Sequence, residues 1–182
     1  MGEVDIKIYC DGSSGKMGSA GWGIVIITNL EERHYYGGVP RHATNQVAEL
    51  RAAIEALRQI KPKRRGKWKI EIRSDSAYLV NCFRDGWIAN WRRKNWLVKG
   101  KERPNRAWWE TLEALVVLHE VEFIHVKGHA GDHYNEICDK LAVGGRKRCE
   151  AGGGGFLPTV RALPSDGPQP KRRRAGGSPR RS

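Results

Sequence analysis

Thr44-Asn45-Gln46-Val47-Ala48-Glu49-Leu50-Arg51-Ala52-Ala53-Ile54-Glu55-Ala56-Leu57 is where the apolar pattern of the chain changes from the strand period to the helical one. Val47, Leu50, Ile54 and Leu57 form one stripe, and Thr44 or Asn45 can cap its start. Ala52, Ala53, Ala56 and Ile60 make a second stripe of smaller residues beyond Glu49. Small side chains let a helix lie close on a sheet, which would hold Glu49 near strand ends. Pro62 stops the helix.

Working outward, residues 4–9 alternate apolar and polar, residues 21–28 read as a buried strand, and residues 33–36 as a shorter one. Together they predict an antiparallel meander. Downstream, residues 68–74 are a fourth strand. Residues 76–84 and 87–94 are two short helices and 105–119 a further helix. Residues 121–126 are a fifth strand and 132–147 the last helix. The order βββαβ(α)α(α)βα is an α/β fold: a five-stranded mixed sheet with helices on both faces. Sites in such sheets gather at the carboxyl ends of strands.

The formal charge over 182 residues is +13, and residues 151–182 hold seven Lys/Arg against one Asp. The body is therefore basic as well as the end, which points to a polyanionic partner such as nucleic acid. No stretch of 18 apolar residues and no charged-then-apolar leader is present, so no membrane partner is expected. Cytoplasmic placement is the expectation, the nucleus being the alternative that a basic tail allows, and the protein is expected to be a monomer. Cys10, Cys82, Cys138 and Cys149 form no C-x-x-C pair and read as free thiols. A catalytic domain over residues 1–148 is expected, followed by a disordered Gly/Pro/Arg-rich basic tail over 149–182.

Four acids recur at the ends of elements: Asp11, Glu49, Asp75 and Asp139. Each has a bland reading alone: a turn pair in Asp11-Gly12, a first-turn acid in Glu49, a cap in Asp75, a solvated charge in Asp139. As a group they are costly, because two carboxylates about 4 Å apart repel by roughly 4 kcal/mol at an effective dielectric near 20. Protonation or a cation must relieve that. Hard oxygen donors without cysteine favour Mg²⁺ or Mn²⁺ over zinc. Residues 84–106 hold eight Lys/Arg, with Trp87, Trp91 and Trp96 interleaved among Arg92, Arg93 and Lys94. That mixture suits a groove that tracks phosphates and packs on sugars or bases.

Cys10-Asp11-Gly12-Ser13, Thr44 to Leu50, Arg73-Ser74-Asp75-Ser76, and Val126 to Gly131 with Asn135 and Cys138-Asp139 resemble the motifs of type 1 ribonuclease H, in that family's order. The likeness runs over residues 4–147. It implies metal-dependent endonucleolytic hydrolysis of the RNA strand of an RNA–DNA hybrid, leaving 5′-phosphate and 3′-hydroxyl ends. It implies two Mg²⁺ ions, with Asp11 shared between them, Asp139 completing the water-activating one, and Glu49 and Asp75 on the other. His129, in Gly128-His129-Ala130-Gly131, corresponds to a loop histidine with a role in proton transfer or product release. By the same resemblance Gly12, Ser13, Asn45 and Gln46 face the RNA strand, where 2′-hydroxyls distinguish it from DNA. Thr44 and Asn105, with Arg41 or His42, lie by a DNA phosphate. Residues 87–96 form a basic protrusion along the DNA strand, and Asn135 completes the substrate-contacting set. The turn after Ser13 is shorter than in many members, and Ala77 stands where a longer polar residue is common. A separate hybrid-binding module is not expected. Two further readings compete: a nuclease directed at duplex DNA, and a non-catalytic hybrid binder.

Overall fold

The computed structural model describes residues 3–15, 18–39, 43–128 and 131–152. β1 (Ile6–Ser14), β2 (Ala20–Ile27) and β3 (Glu32–Val39) form the expected meander. β1 also pairs in parallel with β4 (Lys69–Ser74), and β4 with β7 (Glu120–His125), so the sheet order is β3-β2-β1-β4-β7. The helices are α1 (Asn45–Arg58), α2 (Ala77–Arg84), α3 (Trp87–Arg93), α4 (Arg106–Val116) and α5 (His133–Glu150). The expected α/β architecture is present.

β2 is buried along almost its whole length, because both faces of the sheet are covered. Adjacent positions show which helix covers which face. Gly12 looks onto Ala48 and Glu49 of α1, whereas Gly23, paired with Asp11, looks onto Cys138 and Leu141 of α5. The small-residue stripe Ala48, Ala52, Ala53 and Ala56 is fully buried in the main core, as close helix-on-sheet packing requires. On the other face, a Cβ at Gly21 would stand 2.2 Å from the Arg146 nitrogen. Backbone meets backbone there, and only glycine permits it.

Three boundaries differ from expectation in ways that matter. β1 continues through Asp11-Gly12-Ser13 instead of turning there, because each of these residues pairs with β2. β3 continues through Gly37 and Gly38, which pair with Trp22 and Gly21. α5 runs past Lys147 to Glu150, held by Cys149 Sγ against the Val39 carbonyl at 3.4 Å and by Ser19 Oγ donating to Glu150 Oε1 at 2.6 Å. A hairpin of β5 (Leu97–Val98) and β6 (Lys101–Glu102) was not expected. The thiols of Cys10, Cys82, Cys138 and Cys149 are free, as read from their spacing. No helix among the described residues is long and apolar enough to cross a membrane.

Candidate active site

The parallel ladder of β1 with β4 ends at Tyr9 opposite Arg73, while the antiparallel ladder of β1 with β2 runs on to Ser14. Carrying the parallel register forward by two residues sets Asp11 level with Asp75, just beyond the end of β4. Neighbouring strands lie about 4.8 Å apart, so the two carboxylates are delivered as neighbours by backbone pairing alone. Glu49 arrives from α1, which lies close on β1 at Gly12. Carboxylate oxygens of Asp11, Glu49 and Asp75 all lie within 4.8 Å of one another.

The bland readings of these acids fail on geometry. Asp11 is in a strand, not a turn. Glu49 lies beyond the first turn of α1 and is 4% exposed, so it is no solvated partner of the helix dipole. Ser76, not Asp75, caps α2, its side chain accepting from the Leu79 amide at 3.3 Å. Asp75 is thereby left free to face the site.

Burial, then the nearby Asp75 charge, pushes the Asp11 carboxyl up to about 7, with Asp139 adding to the rise and the Gly12 N–H opposing it. Burial, then Asp11 and Asp75, lifts Glu49 well above the usual carboxylate range. Asp11 and Glu49 therefore retain protons near neutrality unless a cation takes their place. Glu49 Oε2 is buried without a hydrogen-bond partner, while its Oε1 accepts from Asn45 Nδ2 at 3.4 Å. An oxygen-only donor set with one vacant buried lone-pair oxygen fits a hard divalent cation. Cys10 and Cys138 offer no thiolate, because burial raises both thiols well above their ordinary value.

Asp139 lies on α5, one turn beyond Asn135, half-buried and outside the close trio. It is near enough for its charge to raise Asp11. Asn135 is buried and donates through Nδ2 to Asp75 Oδ2 at 3.3 Å. The expectation made it a substrate contact; its observed contact is with an acid of the cluster. Two neighbours of Asp75 were missed by sequence reasoning. His125 contacts the Asp75 carbonyl through Nε2 at 3.1 Å, and a Cβ on Gly128 would meet Asp75 Oδ2 at 2.6 Å. His125 closes β7 and Gly128 lies three residues beyond it, so their place at the end of that strand was the signal for both.

The remaining expected contacts divide. Thr44, Asn45 and Gln46 are exposed at the start of α1, and Thr44 Oγ1 accepts from the Val47 amide at 3.3 Å. Asn105 Nδ2 donates to Gln46 Oε1 at 3.5 Å, so two segments far apart in sequence meet there. Gly12 and Ser13 are half-buried on β1. In the protrusion, Arg92, Arg93 and Lys94 are exposed, and Arg92 pairs with Glu113. Trp87 is 36% exposed, but Trp91 and Trp96 are only 7% and 3% exposed. Those two are corrected from surface contacts to core residues, with the Arg103 guanidinium 3.7 Å over the Trp91 ring. Arg41, His42 and His129 lie outside the described residues.

A mixed sheet with an acid cluster where its central parallel strands end is an α/β fold with a candidate metal-binding site. The ribonuclease H family model matches residues 3–147, and the chain belongs to that family. It is 43% identical over 140 residues to the ribonuclease H of Moorella thermoacetica, covering 76% of this chain and 89% of that protein. Against the ribonuclease H of Syntrophomonas wolfei the identity is 42% over 140 residues, covering 76% and 93%. Among solved structures, LC9-RNase H1, described as a type 1 enzyme with the type 2 active-site motif, superposes with a TM-score of 0.70 at 28% identity, covering 81% of this chain and 74% of that one. LC11-RNase H1, solved in complex with an RNA/DNA hybrid, superposes at 0.60 and 22% identity, covering 80% and 99%, a likeness of fold.

Proposed function

We propose that this member of the family is an endonuclease that hydrolyses the RNA strand of RNA–DNA hybrids, leaving 5′-phosphate and 3′-hydroxyl ends. The observation that carries the reading is the trio Asp11, Glu49 and Asp75, within 4.8 Å of one another and with a buried Glu49 oxygen lacking a partner. The names of the curated relatives and the hybrid bound to LC11-RNase H1 support it.

Asp11, Glu49, Asp75 and Asp139 would hold two Mg²⁺ ions, with Mn²⁺ as a substitute. When bound, such ions neutralise charge at the attacking and leaving oxygens of an in-line phosphodiester displacement. The chain's own residues do the rest. Asn135 orients the Asp75 carboxylate through its 3.3 Å hydrogen bond. His129, within Gly128-His129-Ala130-Gly131, serves proton transfer or product release. Gly12, Ser13, Asn45 and Gln46 take the RNA strand, while Thr44, Arg41 and Asn105 take a DNA phosphate. Trp87, Arg92, Arg93 and Lys94 follow the DNA strand, with Trp91 and Trp96 as the packed support beneath them. The protein acts as a monomer.

The test compares labelled hybrid, duplex RNA and duplex DNA with Mg²⁺, with and without EDTA. Cleavage confined to the RNA of the hybrid, absent with EDTA and in Asp11→Asn, is the expected result. An intact hybrid, or preferential cutting of duplex DNA, overturns the proposal.

A further inference from the structure

Between α1 and β4 the chain reads Lys61-Pro62-Lys63-Arg64-Arg65-Gly66-Lys67-Trp68-Lys69, six cations and no acid in nine positions. This loop is tied down. Trp68 Nε1 donates to the Lys61 carbonyl at 2.9 Å, and Lys63 Nζ lies 4.0 Å over the Trp68 ring. Asp5 Oδ2 accepts from Lys63 Nζ at 3.1 Å and from the Lys69 amide at 2.9 Å. Lys67 Nζ donates to the Val117 carbonyl at 2.7 Å. The turn itself passes through Gly66 at φ +72.

What remains is a tip of Lys61, Arg64 and Arg65, all exposed and without an acid partner among the described residues. In the protrusion, by comparison, some of the cations are paired with acids, while Arg93, Lys94, Lys99 and Lys101 have no acid partner among the described residues. There Arg84 pairs with Asp85, Arg92 with Glu113, and Arg106 with Glu102 and Glu110. Like charges concentrated on a fixed loop repel one another and gain nothing from the fold, so their compensation is external. Six residues of β4 separate the loop from Asp75. At about 3.3 Å per residue that is about 20 Å, at the opposite end of the sheet from the carboxylates.

We propose that this loop is a second nucleic-acid contact, a basic finger that engages the phosphate backbone of a duplex segment other than the one at the carboxylates. Arginine guanidinium groups match phosphate oxygens in two-pronged fashion, and Arg64-Arg65 presents two side by side. An anionic lipid surface is the weaker fit, since positions 61–67 carry no apolar side chain apart from Pro62 to insert. The inference does not depend on which strand the acids cut.

The test uses the full chain carrying Asp11→Asn, with and without Lys61→Ala, Arg64→Ala and Arg65→Ala, titrated with a short duplex DNA at several salt concentrations. With the loop intact, two duplexes bind per chain; with the loop changed, one binds. The salt slope falls by about 2 to 3, and affinity at the second site falls at least about tenfold at 0.1 M salt. Lys140→Ala, Lys147→Ala and Arg148→Ala remove equal charge from α5 and leave the stoichiometry at two. Equal stoichiometry and slope with and without the loop change overturn the proposal. So does loss of binding to phosphatidylglycerol vesicles while duplex binding is unchanged. In the Asp11-containing enzyme the loop variant cleaves a short hybrid at the parental rate at saturation. If the parent cleaves no hybrid, the cleavage reading fails while the stoichiometry still decides the loop.

Discussion

Gly12 and Glu49 meet backbone to backbone: a Cβ on Gly12 would lie 2.5 Å from the Glu49 nitrogen and 2.7 Å from the Ala48 carbonyl carbon. The missing side chain is what lets α1 lay Glu49 beside Asp11. Backbone cannot swing aside as a flexible side chain would, so Gly12→Ala must push the helix off the strand. The expected cost is about 1–3 kcal/mol in urea unfolding, with cleavage falling further than stability does. A variant with parental stability and full activity would show that the close approach is dispensable.

Metal-free protein should lose stability as pH rises toward neutrality. The folded Asp11 carboxyl sits near 7, above its ordinary 3.8, so the native state binds a proton that the unfolded chain has released. That contribution is complete below the unfolded value and is lost as pH climbs through the folded one. The slope is at most about 1.4 kcal/mol per pH unit for one proton. Asp11→Asn should flatten the dependence between pH 4 and 7, and Mg²⁺ should restore stability on the alkaline side. Parallel curves for the two proteins in EDTA would contradict the assignment.

Asn135→Ala removes the donor to Asp75 Oδ2 while leaving every carboxylate in place. Groups that orient ligands are worth roughly 10–100-fold in metal affinity. Activity titrated against Mg²⁺ should therefore shift to higher concentration, with recovery when the ion is in excess. No shift in the titration midpoint would remove Asn135 from the positioning role.

Trp91→Ala and Trp87→Ala should part company. Trp91 is packed edge-on to Trp109 with ring centroids 5.5 Å apart, so its truncation is expected to cost about 3–5 kcal/mol. Trp87, at the surface, should leave the melting curve nearly unchanged and weaken hybrid binding instead. The reverse pattern would return Trp91 to the substrate face.

His129→Ala should slow turnover without abolishing metal binding, since the four acids are untouched. Single-turnover and steady-state rates together separate proton transfer from product release. An unchanged rate at saturating substrate would end its assignment to either role.

Much of the fold is legible in the sequence because its elements are strongly periodic. The switch at Asn45, the strand before Asp75 and the helix after Asp132 each appear within a few residues of their place. Legibility fails where long-range pairing overrides local chemistry. Asp11-Gly12-Ser13 and Gly37-Gly38 carry turn residues, yet β2 draws both into strands because α1 and α5 press on them. The β5–β6 hairpin has two residues per strand, too few to show any period. Interleaving of Trp with Arg reveals a basic protrusion but not which rings face inward, and Trp91 and Trp96 went to the core.

Local period and residue type at short spacing were enough to read off the α/β class, the family motifs and the identity of the acids. Tertiary structure alone decided that Asp11 and Asp75 lie level across a parallel ladder, that Glu49 joins them through a side-chain-free contact at Gly12, and that Asn135 binds Asp75. Each of those facts joins segments separated by dozens of residues. Their distance is set by backbone pairing and core packing, which no local pattern encodes.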